Sequence, residues 1–82
     1  MNKLEEINGE LLTKHIHDKG FTMKELAEVS QISRNTIYNI SAGKHKPSYL
    51  VMQDLVTILD LSQKDFILTF FPKVDFKEES NP

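Results

Sequence analysis

The chain has 82 residues, of which 39% are hydrophobic and 27% charged, with a formal net charge of −2. At this size folding hides only about 60 to 65% of the surface an unfolded chain exposes, so one thin core is expected and a separate sensor or catalytic domain has no room. The absence of cysteine excludes disulfides, thiolate metal sites and cysteine nucleophiles, and the apolar-rich stretch 65–71 is far shorter than the roughly 18 residues of a membrane span.

In chain order, Ile7, Leu11, Leu12 and Ile16 recur at helical spacing and predict a first helix over about 5–19, with Gly20 placed to end it. Thr22 followed by Glu25 is a capping-box pattern, in which each side chain can accept the other's free backbone N–H. It opens a second helix over about 23–29, with Leu26 and Ala27 inward. Ser33 caps a third helix over about 34–42 with Ile37 and Ile40 on its inner face, and Gly43 stops it. Lys44-His45-Lys46-Pro47 reads as a loop, because proline disfavours helical backbone at the residue before it. Ser48 caps a fourth helix with Met52, Leu55, Val56 and Leu59 inside. Ser62 with Asp65 repeats the capping pattern and opens a fifth helix to about Phe70, which Pro72 terminates. No strand alternation, repeat or low-complexity tract competes. The expectation is an all-α, five-helix domain over 1–71, with a polar tail over 72–82 in which only Val74 and Phe76 are apolar.

The net charge hides a polarity. Residues 1–13 carry one base against three acids, 14–48 carry six bases against three acids, and 49–82 carry three bases against six acids. A surface for a polyanion belongs to the middle segment.

The middle segment also carries the most specific spacing. Leu26-Ala27, a short connection through Val29-Ser30-Gln31-Ile32, and a Ser-capped helix with Ile37 inward is helix-turn-helix spacing, with the small Ala27 permitting close approach. With Phe21 to Ala27, Ile32 to Ile37, Gly43-Lys44, Pro47-Ser48, Leu59, Leu61 and Phe66, the stretch from about Leu11 to Phe66 resembles the lambda-repressor-like, Cro-type (XRE) helix-turn-helix family. The resemblance implies that the third helix lies in the major groove of DNA, with Arg34, Asn35, Thr36, Tyr38 and Asn39 at the base edges. The chemistry suits that task. Arginine donates bidentately to guanine, asparagine pairs with adenine, and the threonine methyl meets that of thymine. Tyr38 can either stack on the nucleic acid or pack down on the end of helix two.

Backbone phosphates would be met from the edges of the motif: by Thr22, Met23 and Lys24 at the start of helix two, Ser33 at the start of helix three, and Lys44, His45 and Lys46 in the following loop. Lys14, Lys19 and Tyr49 are weaker candidates. Many relatives carry glutamine at the position of Met23. His15, His17 and His45 form no metal-ligand set, and His15, at a place often apolar in the family, is expected to pack in the core. The family's arginine–glutamate pair between the first and third helices falls at Ile16 and Ser41. Loss of both partners is compatible with the fold. Ile16 is then expected to pack toward the end of helix three, and Ser41 to cap or bond to local backbone.

The last third has more apolar surface than one thin core covers. Leu50, Val51, Ile58, Ile67, Phe70 and Phe71 are expected to form a homodimer interface, presenting two reading helices to half-sites about 34 Å apart. The alternative is that Phe70 and Phe71 fold back over the chain's own core. No nucleophile elbow, phosphate loop or HExxH is present, so no enzyme, cofactor, metal or small-molecule ligand is expected. The first six residues lack a signal-peptide pattern, and a cytoplasmic protein is expected. These readings converge on a sequence-specific regulator of the repressor kind, of phage or mobile-element type, binding a double-stranded operator. The competing reading is an antitoxin or antirepressor-like module that uses the same fold to bind a protein partner, a toxin or a repressor.

Overall fold

The computed structural model describes residues 7–73, and among them the regular structure is five helices. They are α1 (Gly9–Asp18), α2 (Met23–Ser30), α3 (Arg34–Ser41), α4 (Tyr49–Leu59) and α5 (Gln63–Phe70). One local grammar starts four of them. An apolar residue before the cap and another at the fourth helical position fix the entry of the chain. The pairs are Ile7 and Leu12, Phe21 and Leu26, Ile32 and Ile37, and Leu61 and Phe66, all of them in the core or packed against it. Between each pair sits the cap, whose side-chain oxygen accepts an otherwise free N–H: Asn8 from Leu11, Thr22 from Glu25, Ser33 from Thr36, and Ser62 from Asp65. Ser48 does the same for Val51 at the start of α4.

Two expectations about helix starts change. The first helix begins at Gly9 rather than near residue 5, because Asn8 caps it and donates its own N–H to the Thr69 carbonyl at 2.7 Å. Glu5 and Glu6, once placed in that helix, lie outside the described residues, as does most of the tail, including Val74 and Phe76. At α5 only the Ser62 half of the capping box forms; Asp is one methylene shorter than the Glu that closes the reciprocal bond at Thr22.

Helix ends obey a second rule. After α1, α3 and α4 the chain turns through a left-handed residue, Gly20, Gly43 and Asp60, and paired backbone bonds close each end. At Gly43, for example, its own N–H reaches Ile40 and that of Lys44 reaches the Asn39 carbonyl at 2.8 Å, the Schellman arrangement.

The core is Leu12, Ile16, Leu26, Ile37, Ile40, Leu55, Leu59 and Phe70. α2 packs on α3 and α4, and α1 packs on α3 and α5. α1 approaches α3 tightly at Gly9, where a Cβ would run into the Ser41 carbonyl. Ile16, about 10 Å further along the axis, is buried in one cluster with Ile37 and Ile40 of α3. The Ser41 hydroxyl, by contrast, does not bond to local backbone as expected, since its Oγ is buried without a partner. His15 is half-buried as expected, with Nε2 also unpartnered.

Thr69 is fully buried at 0% exposure, and its Oγ1 has no partner either. A buried hydroxyl with no hydrogen bond costs about 1–3 kcal/mol. Thr69→Val keeps the branched shape and removes that cost. The variant is expected to unfold in urea with a stability about 1 kcal/mol above the parent, and a fall would show that Oγ1 is satisfied in solution.

Candidate nucleic-acid interface

The turn between α2 and α3 positions α3. α2 ends at Gln31, which takes the left-handed conformation at φ 64° while its N–H reaches the Ala27 carbonyl at 2.9 Å. The Ser30 hydroxyl accepts the Ile32 N–H at 3.1 Å, so the turn leaves no amide of that pair unsatisfied. Glycine is the residue that adopts positive φ without steric cost. Gln31→Gly is therefore expected to raise stability by about 0.5–1 kcal/mol, a gain of a few degrees in melting temperature, with DNA binding retained.

Ser33 then fixes the first turn of α3. Its Oγ accepts from the Thr36 N–H at 3.0 Å, and its hydroxyl donates to Thr36 Oγ1 at 2.8 Å. The Ser33 hydroxyl is thereby committed inside the helix, while Thr36 Oγ1 only accepts. Ser33, expected at a phosphate, has its hydrogen spent on Thr36; it serves by holding the helix start. What α3 leaves free there are the N–H groups of Arg34 and Asn35.

Ile37 and Ile40 face inward at 0% exposure. The opposite face carries Arg34, Asn35 and Tyr38, all exposed, with Asn39 half-buried beside them and Thr36 half-buried at the edge. These positions are three and four apart, which places them on one side of a helix. Tyr38 is 61% exposed and does not pack on the core. The Arg34 guanidinium makes no hydrogen bond or ion pair among the described residues, and all five of its donors are available.

At the start of α2 the capping box is complete. Thr22 Oγ1 accepts from Glu25 N at 3.0 Å, and Glu25 Oε1 accepts from Thr22 N at 2.9 Å. Thr22 therefore offers a phosphate only its hydroxyl hydrogen, and the free amides are those of Met23 and Lys24. The Met23 side chain packs against the core. Lys24 is exposed and shares with Arg34 the rim of an open groove of about 550 Å³ across the α2–α3 turn. Glu28 and Gln31 line the same groove, and sequence reasoning missed both. The signal for Glu28 was present: it lies four residues after Lys24, on the same face of α2.

The basic residues divide by partner. Lys14 donates to Asp18 at 2.8 Å, a hydrogen bond that holds the Asp18 carboxyl below the usual carboxylate range and raises the Lys14 ammonium. Lys19 lies 3.7 Å from Asp60. Two of the three weaker phosphate candidates, Lys14 and Lys19, thus carry a compensating acid, and the third, Tyr49, is exposed. Lys24 and Lys44 have none among the described residues; Lys44, His45 and Lys46 are all exposed in the turn that Gly43 opens and the buried Pro47 closes.

The expected dimer face is rearranged. Phe70 is 2% exposed and is part of the chain's own core, because the α5 register turns it toward Leu12 and its neighbours. Phe71 is half-buried and meets Phe66 edge-on, with ring centroids 5.6 Å apart. Val51 and Ile58 pack partly against the core, and Ile67 is half-buried. Leu50 is 68% exposed, and Leu68, not among the expected residues, is 43% exposed.

Among the described residues no group of three His, Asp or Glu side chains is placed to hold a metal, and no helix is long and apolar enough to cross a membrane. A capped helix-turn-helix with an unpaired basic and amide-bearing face defines a DNA-binding domain. A helix-turn-helix family model matches residues 18–65, more than half of the chain, and the chain belongs to the Cro/XRE-type helix-turn-helix family of DNA-binding regulators. The crystal structure of the restriction-modification controller protein C.AhdI from Aeromonas hydrophila has the same fold. Its TM-score is 0.64 at 24% identity, over 71% of this chain and 88% of that one. No curated protein matches the sequence.

Proposed function

We propose that this regulator is sequence-specific, reads an operator in the major groove with α3 and its cap (33–42), and represses by occupying the operator and excluding polymerase. The observation that carries the reading is the outward face of Arg34, Asn35 and Tyr38, held on a capped helix with no internal partner for the arginine. Arg34, Asn35, Thr36, Tyr38 and Asn39 take the base edges. Lys24, Lys44, His45 and Lys46, with the free amides at the start of α2, take the phosphates. A compact operator-binding domain of this kind suits a phage or mobile element, and the shared fold of a restriction-modification controller protein supports a regulatory role by analogy. The reading is tested by binding of the purified protein to duplex from its own upstream region and to random duplex, at two salt concentrations. Preference for the upstream duplex supports it; equal affinity for both rejects it and turns attention to a protein partner.

The protein acts as a homodimer that covers Leu50 and Leu68, the exposed leucines of α4 and α5. Leu50→Glu with Leu68→Glu is expected to convert a particle of twice the 9.5 kDa chain mass into one of 9.5 kDa, read by light scattering. Because both positions are exposed, the melting temperature of the monomer is expected to change little. A parent protein that already scatters as a monomer would reject the dimer.

A further inference from the structure

Glu28 is an acid on a surface that meets a polyanion, and it has no partner among the described residues. It lines the same open groove as Lys24 and Arg34, yet no ion pair joins it to either. Left exposed beside phosphates, its charge would simply weaken binding. Its neighbour gives it another use. An arginine that grips guanine bidentately spends only two of its five donors, and the rest of the fork is free to swing. A carboxylate at the side of the fork accepts those remaining donors and restricts the rotamers of a long side chain that otherwise loses entropy on binding.

We propose that Glu28 is a positioning residue: on the DNA complex its carboxylate accepts from the Arg34 guanidinium and aims the other edge of the fork at guanine. The proposal rests on the reading of Arg34 as a base-contacting residue. In the free protein the two groups stand apart across the groove, and entry of the base edge brings the guanidinium to a position that both partners share. Glu28 thereby trades overall affinity for discrimination. Lys24, four residues earlier on α2, supplies the opposing charge toward the phosphates.

The two effects have opposite signs, which makes them separable. The parent protein, Glu28→Gln, Arg34→Ala and the double variant are each used to select duplexes from a random-sequence pool, and binding to the selected sequence and to its single-base-pair changes is then measured. The base pair whose preference Arg34→Ala abolishes identifies the arginine contact. Glu28→Gln is expected to lower guanine preference at that pair by about two- to fivefold, the size of an exposed ion pair, while tightening binding to unselected duplex. In the Arg34→Ala background Glu28→Gln is expected to leave base preference unchanged. If Glu28→Gln tightens selected and unselected duplex equally and keeps the guanine preference, Glu28 is an ordinary solvated acid and the proposal fails, with the arginine contact intact. If Arg34→Ala alters no base preference, or the parent selects no sequence, the underlying reading of Arg34 fails and the proposal with it.

Discussion

Replacing Arg34 and Asn35 together by alanine is expected to weaken binding to the operator by about 30-fold to 10⁴-fold while the fold is retained. Each well-formed side-chain pair with a base edge discriminates by about 1–3 kcal/mol, and two such pairs span that range. Both side chains are exposed and Arg34 has no partner to lose, so the folded state changes by no more than about 0.5 kcal/mol. Binding to random duplex should fall only slightly, since the arginine is one cation among several. Lys44→Ala gives the contrasting pattern: weaker binding to all sequences alike, and a salt dependence shallower by about one unit of slope. Equal loss on operator and random duplex in the double variant would show that α3 supplies charge alone.

Gly9→Ala is expected to destabilise the protein by about 3 kcal/mol, although alanine is the better helix former. At an open helical site the exchange would gain about 0.5–1 kcal/mol. Here the new Cβ would meet the Ser41 carbonyl, a backbone group on another helix that cannot rotate aside. Relief requires α1 to move off α3, which opens the core at Leu12 and Ile40. Overpacking of this sort costs about 1–3 kcal/mol, and contact with backbone lies at the upper end. For a domain of this size that is a large share of a total of roughly 4–12 kcal/mol. Urea unfolding gives the answer, and a midpoint at or above the parent's would show that the two helices do not meet at this point.

The elements most legible in the sequence are those governed by short-range chemistry. Thr22 with Glu25, Ser33 and Ser48 each cap the helix their spacing predicts, and Gly20 and Gly43 each take the left-handed conformation that closes a helix. Leu26, Ile37 and Ile40 face inward as their spacing requires. The outward face of α3 was legible for the same reason: once the inner residues of α3 are known, helical geometry dictates which residues point away. Gln31 and Asp60 were not legible as left-handed positions, because neither is a glycine and the conformation is imposed by the direction the next helix must take.

What the sequence by itself determined is the set of helices, the caps at Thr22, Ser33, Ser48 and Ser62, the stops at Gly20 and Gly43, and the motif that identifies the family. These depend on contacts within three or four residues and on a hydrophobic period that chain position alone reveals. Only the tertiary structure decided which apolar residues remain outside. Phe70 and Leu68 stand two residues apart in the apolar half of one short helix, and the packing of α5 against α1 buries the first and leaves the second exposed. It likewise decided that Gly9 is a contact between helices, that the hydroxyls of Ser41 and Thr69 are stranded without partners, and that Glu28 shares a groove with Arg34. Each of these depends on the relative placement of two helices. That placement is set by the whole core at once, through burial that no local spacing encodes.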